Sequence, residues 1–247
     1  MKDGLLLLMS AVVGGMAAFI LPVSKENAGK RYRMALVFSG AYLFAITITH
    51  ILPDLMNDEA GGPFTGMLVL AGFFFQQILE FFTQGVEHGH LHSHHKGEAH
   101  KSSTAVLVVT ALGIHAFMEG GMLANAGRGE TSVPQSLLYG VLMHKLPETF
   151  ALVSVLSCEL PHKKAVLFMA LFALASPAGL WTGDLLFEQS VLSTGFFHGL
   201  FALVCGSFLH ISTTIVFESN ANHHFNFKKL AVAILGTLTA LAADFIF

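Results

Sequence analysis

The chain has 247 residues, of which 53% are hydrophobic and only 12% are charged, and its formal net charge is −3. A water-soluble domain carries about 25% charged residues, so this composition excludes an ordinary soluble protein and indicates a membrane protein. No basic cluster points to nucleic acid as a partner. The two cysteines, Cys158 and Cys205, form neither a CxxC pair nor a disulfide framework.

Eight apolar segments follow one another along the chain, each close to the ~20 residues that a helix needs to cross a bilayer. We predict an all-α fold: one polytopic membrane domain over residues 1–247, with eight transmembrane helices in a bundle. The predicted spans are 5–22, 34–52, 64–84, 104–124, 133–156, 164–181, 195–217 and 228–247. The first segment shows no convincing small-residue cleavage site, so we expect it to be a retained span rather than a signal peptide.

Basic residues are distributed unevenly between the connections. Ten of the thirteen Lys and Arg residues lie in the connections 22–33, 85–103, 157–164 and the one before the eighth span. The opposite side carries only Lys2 and Arg128, and Lys145 lies within the fifth span. Because cytoplasmic loops are enriched in Lys and Arg, this asymmetry predicts both termini outside and the basic connections in the cytoplasm. We expect a multi-pass protein of a cell membrane, with a bacterial inner membrane favoured.

The connection 85–103 contains the stretch HGHLHSHH, whose imidazoles belong to His88, His90, His92, His94 and His95. Clustered imidazoles suit zinc-like ions, so one interpretation is a weak metal-holding tract that faces the cytoplasm. The alternative is a solvated linker that has no role in metal binding.

Two His–Glu pairs lie in the middle of predicted spans, where ionisable residues are costly and therefore candidates for function. The fourth span contains His115 and Glu119, and the fifth contains His144 and Glu148. Residues four apart share one helix face, and a short connection makes the two helices antiparallel neighbours, so the four side chains can converge. Two imidazoles and two carboxylates suit Zn²⁺, and also Fe²⁺, Mn²⁺ or Cd²⁺. The alternative is that each pair is a structural ion pair or a polar contact between helices.

A proline lies between the two ligands of the fifth span. Pro147 removes the hydrogen bond to the carbonyl of Met143 and predicts a kink. Transporters place ion sites at broken helices near the bilayer midplane, although an ordinary kink is the alternative.

Further ionisable residues lie outside these two pairs. His50 and Asp54 repeat the four-residue spacing at the outer end of the second span. They either guide ions inward or cap a helix that stops near Pro53. Glu80, near the cytoplasmic end of the third span, is a candidate ligand on the exit side, although carboxylates at helix ends also reach water without a function. We interpret His210, alone in the seventh span, as a hydrogen-bonding residue between helices.

Several motifs, taken in chain order, resemble the ZIP (Zrt/Irt-like protein) family of divalent metal transporters. They are FSGAYLFAITITHILPD at 38–54, HAFMEG at 115–120, HKLPE at 144–148, ASPAG at 175–179 and GSFLH at 206–210. The resemblance covers essentially the whole chain. It implies an eight-helix transporter that moves Zn²⁺ and related ions into the cytoplasm. The implied site lies between the fourth and fifth helices and corresponds to His115, Glu119, His144 and Glu148.

Several positions depart from the pattern of the family, among them Thr149, where Gly is common, and His210, where Tyr is frequent. Ala116 stands where many members have a polar residue, and Lys145 stands where many have an acid that binds a second metal ion. A protonated lysine cannot act as a ligand, and its charge opposes a nearby cation. We therefore predict a site for a single ion, with the Lys145 ammonium in the place of a second cation.

The sequence predicts a transporter rather than an enzyme, with a metal ion as substrate and no cofactor. The expected route runs past His50 and Asp54 to the two His–Glu pairs, and then toward Glu80 and the histidine-rich connection. Because no ATP-binding motif is present, the flux is expected to be passive or coupled to an ion gradient. The alternatives are an intramembrane metal-dependent hydrolase and a metal-sensing protein without transport. The sequence leaves open the metal preference and the oligomeric state, for which a homodimer is one candidate.

Overall fold

The computed structural model describes residues 2–20, 26–57, 64–83, 98–124, 135–189, 193–218 and 227–246, and these residues are helical almost throughout, with no strand among them. Their eight helices are α1 (Lys2–Ile20), α2 (Glu26–Ile46, continuing through a π-helical turn, Thr47–Ile51, into Leu52–Asn57), α3 (Thr65–Thr83), α4 (Glu98–Ala124), α5 (Gln135–Glu159), α6 (His162–Glu188), α7 (Thr194–Thr213, continuing into a π-helical turn, Thr214–Glu218) and α8 (Phe227–Ile246). The prediction of an all-α membrane fold is confirmed.

The helices α1 to α7 are long and apolar enough to cross a membrane. Helix α8 is not among these candidates, so the eighth span remains a prediction. Large apolar side chains cover the outer faces of the bundle. On α3 they recur every three or four residues, at Met67, Leu70, Phe74, Ile78 and Phe81. A continuous apolar stripe of this kind marks a membrane-facing surface.

Glycine residues bring the helices together in pairs: α4 with α6, α3 with α7, α1 with α5 and α2 with α8. A methyl group added to Gly120 would collide with the carbonyl oxygen of Ser176, and one added to Gly206 would collide with that of Val69. Gly14 stands in the same relation to α5, so the backbones of these pairs are in direct contact. Small residues allow this close packing, which replaces the hydrophobic effect as a driving force in lipid.

The pairs assemble into two groups of four helices. Helix α1 packs on both α5 and α6, and α6 packs on α4, so α1, α4, α5 and α6 form one group. Helix α2 packs on both α7 and α8, and α7 packs on α3, so these four form the second group. The groups meet mainly where α2 contacts α5 and where α3 contacts α4.

Prolines do not interrupt the helices that surround the candidate ligands. Helix α5 runs without a break through Pro147, and α6 runs through Pro177. The helix assignment is continuous at both prolines, so the kink at Pro147 and its association with the candidate site remain predictions. Neighbouring helices and side-chain hydrogen bonds allow a proline to be accommodated in a membrane helix.

Candidate metal site

Five ionisable residues of α4 and α5 are buried together inside the bundle. They are His115, Glu119, His144, Lys145 and Glu148, and none has more than 2% of its surface exposed. The spacing of four residues within each helix places the side chains of each pair on one face. One potential ligand atom from each of His115, His144 and Glu148 lies within 4.8 Å of the others. The structure thus brings three of the four predicted ligands into one buried cluster.

Glu119, the fourth predicted ligand, lies beside this cluster. Its Oε1 atom is 3.1 Å from Nε2 of His115. In a tetrahedral zinc site with bonds of about 2.0–2.1 Å, neighbouring ligand atoms are about 3.3 Å apart. The distance between these two atoms therefore fits one coordination sphere. The potential ligand atoms of His115, His144 and Glu148 are up to 4.8 Å apart, so they would have to move closer together around an ion.

Lys145 bridges the two carboxylates. Its Nζ atom donates hydrogen bonds to Oε2 of Glu119 at 2.5 Å and to Oε2 of Glu148 at 2.8 Å. The same ammonium group lies 5.1 Å from the centre of the Phe172 ring on α6, a distance that allows a cation–π contact. One fixed positive charge thus lies among the candidate ligands.

The other oxygen of Glu148 is one of several buried polar atoms of the site whose hydrogen-bonding capacity is not filled; Glu119 Oε1 and His115 Nε2, which face each other, are two more. Glu148 Oε1 is buried, and it has no hydrogen-bond partner within the described part of the chain. A buried polar atom without a partner carries a desolvation cost, which is higher for a charged group. A bound cation would remove that cost, so this atom is a candidate ligand atom on grounds independent of its spacing in the sequence.

Buried apolar residues lie next to the candidate ligands along α4 and α5. Leu112 and Ala116 on α4 and Leu152 on α5 are fully buried. The Phe208 ring of α7 lies edge-on to the His115 ring, with ring centres 6.3 Å apart. Because charges interact more strongly where water is excluded, these surroundings strengthen both the Lys145 ion pairs and the attraction for a cation.

The second span continues beyond Pro53, contrary to the interpretation in which the helix stops near that proline. Helix α2 continues past Pro53 to Asn57, so Asp54 is a half-buried residue within a helical segment and not a cap at the end of the span. The π-helical turn precedes this proline, and the Leu52 N–H donates to the carbonyl of Thr47. Turns of this type occur often at functional sites. His50 lies in the turn, and neither His50 nor Asp54 belongs to the buried cluster.

Glu80 and His210 join α3 to α7. Glu80 Oε2 lies 2.6 Å from Nε2 of His210, and the Phe73 ring packs edge-on against the imidazole. The prediction that His210 forms a hydrogen bond between helices is confirmed. Nearby, Ser207 donates to Oε1 of Gln76 at 3.3 Å. Sequence reasoning missed these pairings, although polar residues recur at spacings of three and four on the two spans.

The histidines of the tract HGHLHSHH, at positions 88–95, lie outside the described residues. Their role in holding metal ions therefore remains a prediction, with a solvated linker as the alternative. The described part of the connection begins at Glu98, where α4 starts.

Comparisons with known proteins identify the family. A family model described as ZIP zinc transporter matches residues 83–243, a range that includes all five buried ionisable residues. The chain is also 22% identical over 218 residues to zinc transporter ZIP1 of Danio rerio, an alignment that covers 71% of this chain and 72% of the zebrafish protein. The protein therefore belongs to the ZIP zinc transporter family.

Proposed function

We propose that this protein carries divalent metal ions, zinc foremost, into the cytoplasm through a site between α4 and α5. The observation that carries the proposal is the buried cluster of His115, His144 and Glu148, whose potential ligand atoms lie within 4.8 Å of one another. Membership of a zinc transporter family supports a metal ion as the substrate. The name of the zebrafish relative points to the same ion.

Glu119 completes the proposed ligand set. A Zn²⁺ ion takes four ligands, and nitrogen from two histidines with oxygen from two carboxylates is a suitable combination. The ion would take the place of the direct contact between His115 and Glu119 and draw the other ligands inward. Fe²⁺, Mn²⁺ and Cd²⁺ share enough of this ligand preference to be further substrates.

The proposed site holds one ion at a time. Lys145 donates to both carboxylates and occupies the space between them. A second divalent cation would have to displace this ammonium group or lie beside it, and the repulsion is strong in a buried site. A ratio of two ions per protein at this site would overturn the proposal of a single ion.

The proposed route is built from residues on the two sides of the site. Ions enter past His50 and Asp54 from the outside, and they leave toward Glu80 and the histidine-rich connection. The charge asymmetry of the connections supports this direction, with both termini outside. All five site residues belong to the group of α1, α4, α5 and α6, so movement of that group against the other would carry the site from one side to the other.

Uptake into proteoliposomes tests the proposal. We expect Zn²⁺ to enter vesicles that contain the protein, and we expect His144→Ala and Glu148→Ala to reduce the initial rate at least tenfold, as the loss of direct ligands should. Leu146→Met is the matched control, since Leu146 lies on the same helix, is half-exposed and keeps its volume in the substitution. Uptake that survives both ligand substitutions would show that the site is wrongly assigned.

One observation favours a second candidate, an intramembrane metal-dependent hydrolase. Two histidines and one glutamate form the ligand set of some hydrolytic zinc sites, in which a water molecule takes the fourth position. The proximity of Glu119 to His115 argues against an open position, because a fourth protein ligand would fill it. Peptide cleavage by the zinc-loaded protein, without zinc flux, would favour the hydrolase. Zinc binding with neither flux nor cleavage would indicate a sensor.

A further inference from the structure

Lys145 divides the oxygens of the two carboxylates into two kinds. Oε2 of Glu119 and Oε2 of Glu148 both accept hydrogen bonds from its ammonium group. The remaining oxygens are different: Glu119 Oε1 lies 3.1 Å from the His115 ring, and Glu148 Oε1 has no hydrogen-bond partner among the described residues. Each carboxylate therefore has one oxygen engaged by the lysine and one that is available to an ion.

We infer that Lys145 determines the ion specificity of the site by holding one oxygen of each carboxylate. Glu119 and Glu148 then each bind an ion through a single oxygen. The site therefore selects ions that accept four ligands. This inference rests on the proposed function, because it assumes that the ion binds at these residues. It adds a role for a residue that is not itself a ligand, and it names the preferred class of substrate.

The number of available donors decides which ions fit. With one oxygen from each carboxylate and one nitrogen from each histidine, the site offers four protein ligands. Zn²⁺ is satisfied by four ligands in a tetrahedron. Mn²⁺ prefers about six ligands, mostly oxygen, in an octahedron. If each carboxylate bound through both oxygens, the same residues would offer six donors, so Lys145 withholds two donors that Mn²⁺ prefers and makes Mn²⁺ a poorer substrate than Zn²⁺.

The surroundings of Lys145 keep it in this position. Lys145 is 1% exposed, so water cannot replace the carboxylates as acceptors for its ammonium group. The Phe172 ring lies against the same group. Moving the ammonium away would leave a buried charge without a partner, which is strongly unfavourable. The lysine is thus expected to retain its two hydrogen bonds when an ion is bound.

Spectroscopy of bound Co²⁺ tests the inference on the purified full-length protein. Tetrahedral Co²⁺ absorbs visible light much more strongly than six-coordinate Co²⁺, so the spectrum reports the number of ligands. We expect an intense spectrum for the unmodified protein and a several-fold weaker one for Lys145→Met, in which both carboxylates can bind through two oxygens. In competition uptake, we expect the preference for Zn²⁺ over Mn²⁺ to fall about tenfold, at the lower end of effects beside metal ligands.

Two controls make the outcome interpretable. Leu146→Met introduces the same residue at the next position and should leave spectrum and preference unchanged. Lys145→Gln retains one donor group, so it should change the Co²⁺ spectrum and the ion preference in the same direction as Lys145→Met, but to a smaller extent. It also replaces Lys145→Met if that variant fails to fold. An unchanged Co²⁺ spectrum and an unchanged preference in the Lys145 variants would overturn the inference alone. If instead His144→Ala leaves Co²⁺ binding intact, the site itself is wrongly assigned and the proposed function fails.

Discussion

Replacing Glu148 by glutamine changes the charge of the site while it keeps its shape. The amide oxygen of Glu148→Gln can still accept a hydrogen bond from Lys145, so the packing of α5 should be retained. One of the two negative charges that face the ion is lost, and because Glu148 is 1% exposed, water cannot replace the missing oxygen ligand. Substitutions next to a metal ligand cost 10–100-fold in affinity, so we expect the loss of a ligand to cost about 100-fold, or ~2.7 kcal/mol.

Thermal unfolding with and without Zn²⁺ measures this loss. A ligand that binds only the folded state stabilises it by RT ln(1 + [L]/Kd), which is about 2.7 kcal/mol at a concentration of 100 times Kd. At the same Zn²⁺ concentration, a variant with a 100-fold weaker site should be stabilised by only about 0.4 kcal/mol. The increase in the unfolding temperature on addition of Zn²⁺ should therefore almost disappear.

A second glutamate provides the control for this experiment. Glu188, at the exposed end of α6, undergoes the same change of charge in Glu188→Gln without any contribution to the buried cluster. This variant should keep the full stabilisation by Zn²⁺. If Glu148→Gln is stabilised by Zn²⁺ as much as the unmodified protein, Glu148 is not a ligand, and the reasoning from its unpaired oxygen is refuted.

Four further predictions concern packing, polar contacts, topology and pH. Gly120→Ala should destabilise the fold by about 1–3 kcal/mol, since the added methyl group meets backbone atoms of α6, whereas Gly113→Ala, with no atom within 4 Å, should be neutral or stabilising in thermal unfolding. A double-mutant cycle between Glu80→Gln and His210→Phe should give a coupling energy of about 0.5–3 kcal/mol, and additive effects would contradict the contact. A membrane-impermeant maleimide should label the exposed Cys158 only from the cytoplasmic side; labelling from outside would invert the proposed topology. Zn²⁺ affinity, measured by titration, should be lower at pH 5 than at pH 7, because protons compete with the ion for imidazole nitrogens; equal affinity at the two pH values would argue against histidine ligands.

The sequence was sufficient to predict the helices and the main ligand candidates, and the reason is local. A span that must satisfy its backbone hydrogen bonds in lipid is helical whatever its neighbours are. Within such a span, residues four apart share a face, so His115 with Glu119 and His144 with Glu148 could be paired without any knowledge of the fold. The end of α2 could not be predicted in this way. A π-helical turn over Thr47–Ile51 precedes Pro53, and the helical path continues to Asn57.

Contacts between helices depended on the tertiary structure. The distance from α3 to α7 is set where Gly206 meets the backbone of α3, and that approach places Glu80 within 2.6 Å of His210, a residue 130 positions away. Neither spacing nor composition specifies which faces of two distant spans meet. Sequence reasoning could therefore recognise His210 as a polar residue between helices, but it could not identify its partner.

The sequence by itself determined that this protein is a helical membrane protein with two His–Glu pairs in the middle of its spans, because hydrophobic runs and helical spacing are properties of the local chain. It also showed that a lysine stands beside one pair. Only the tertiary structure decided what that lysine does, since the approach of α4 and α5 places Lys145 between Glu119 and Glu148. The physical reason is that the number of carboxylate oxygens available to an ion depends on distances between side chains of two different helices.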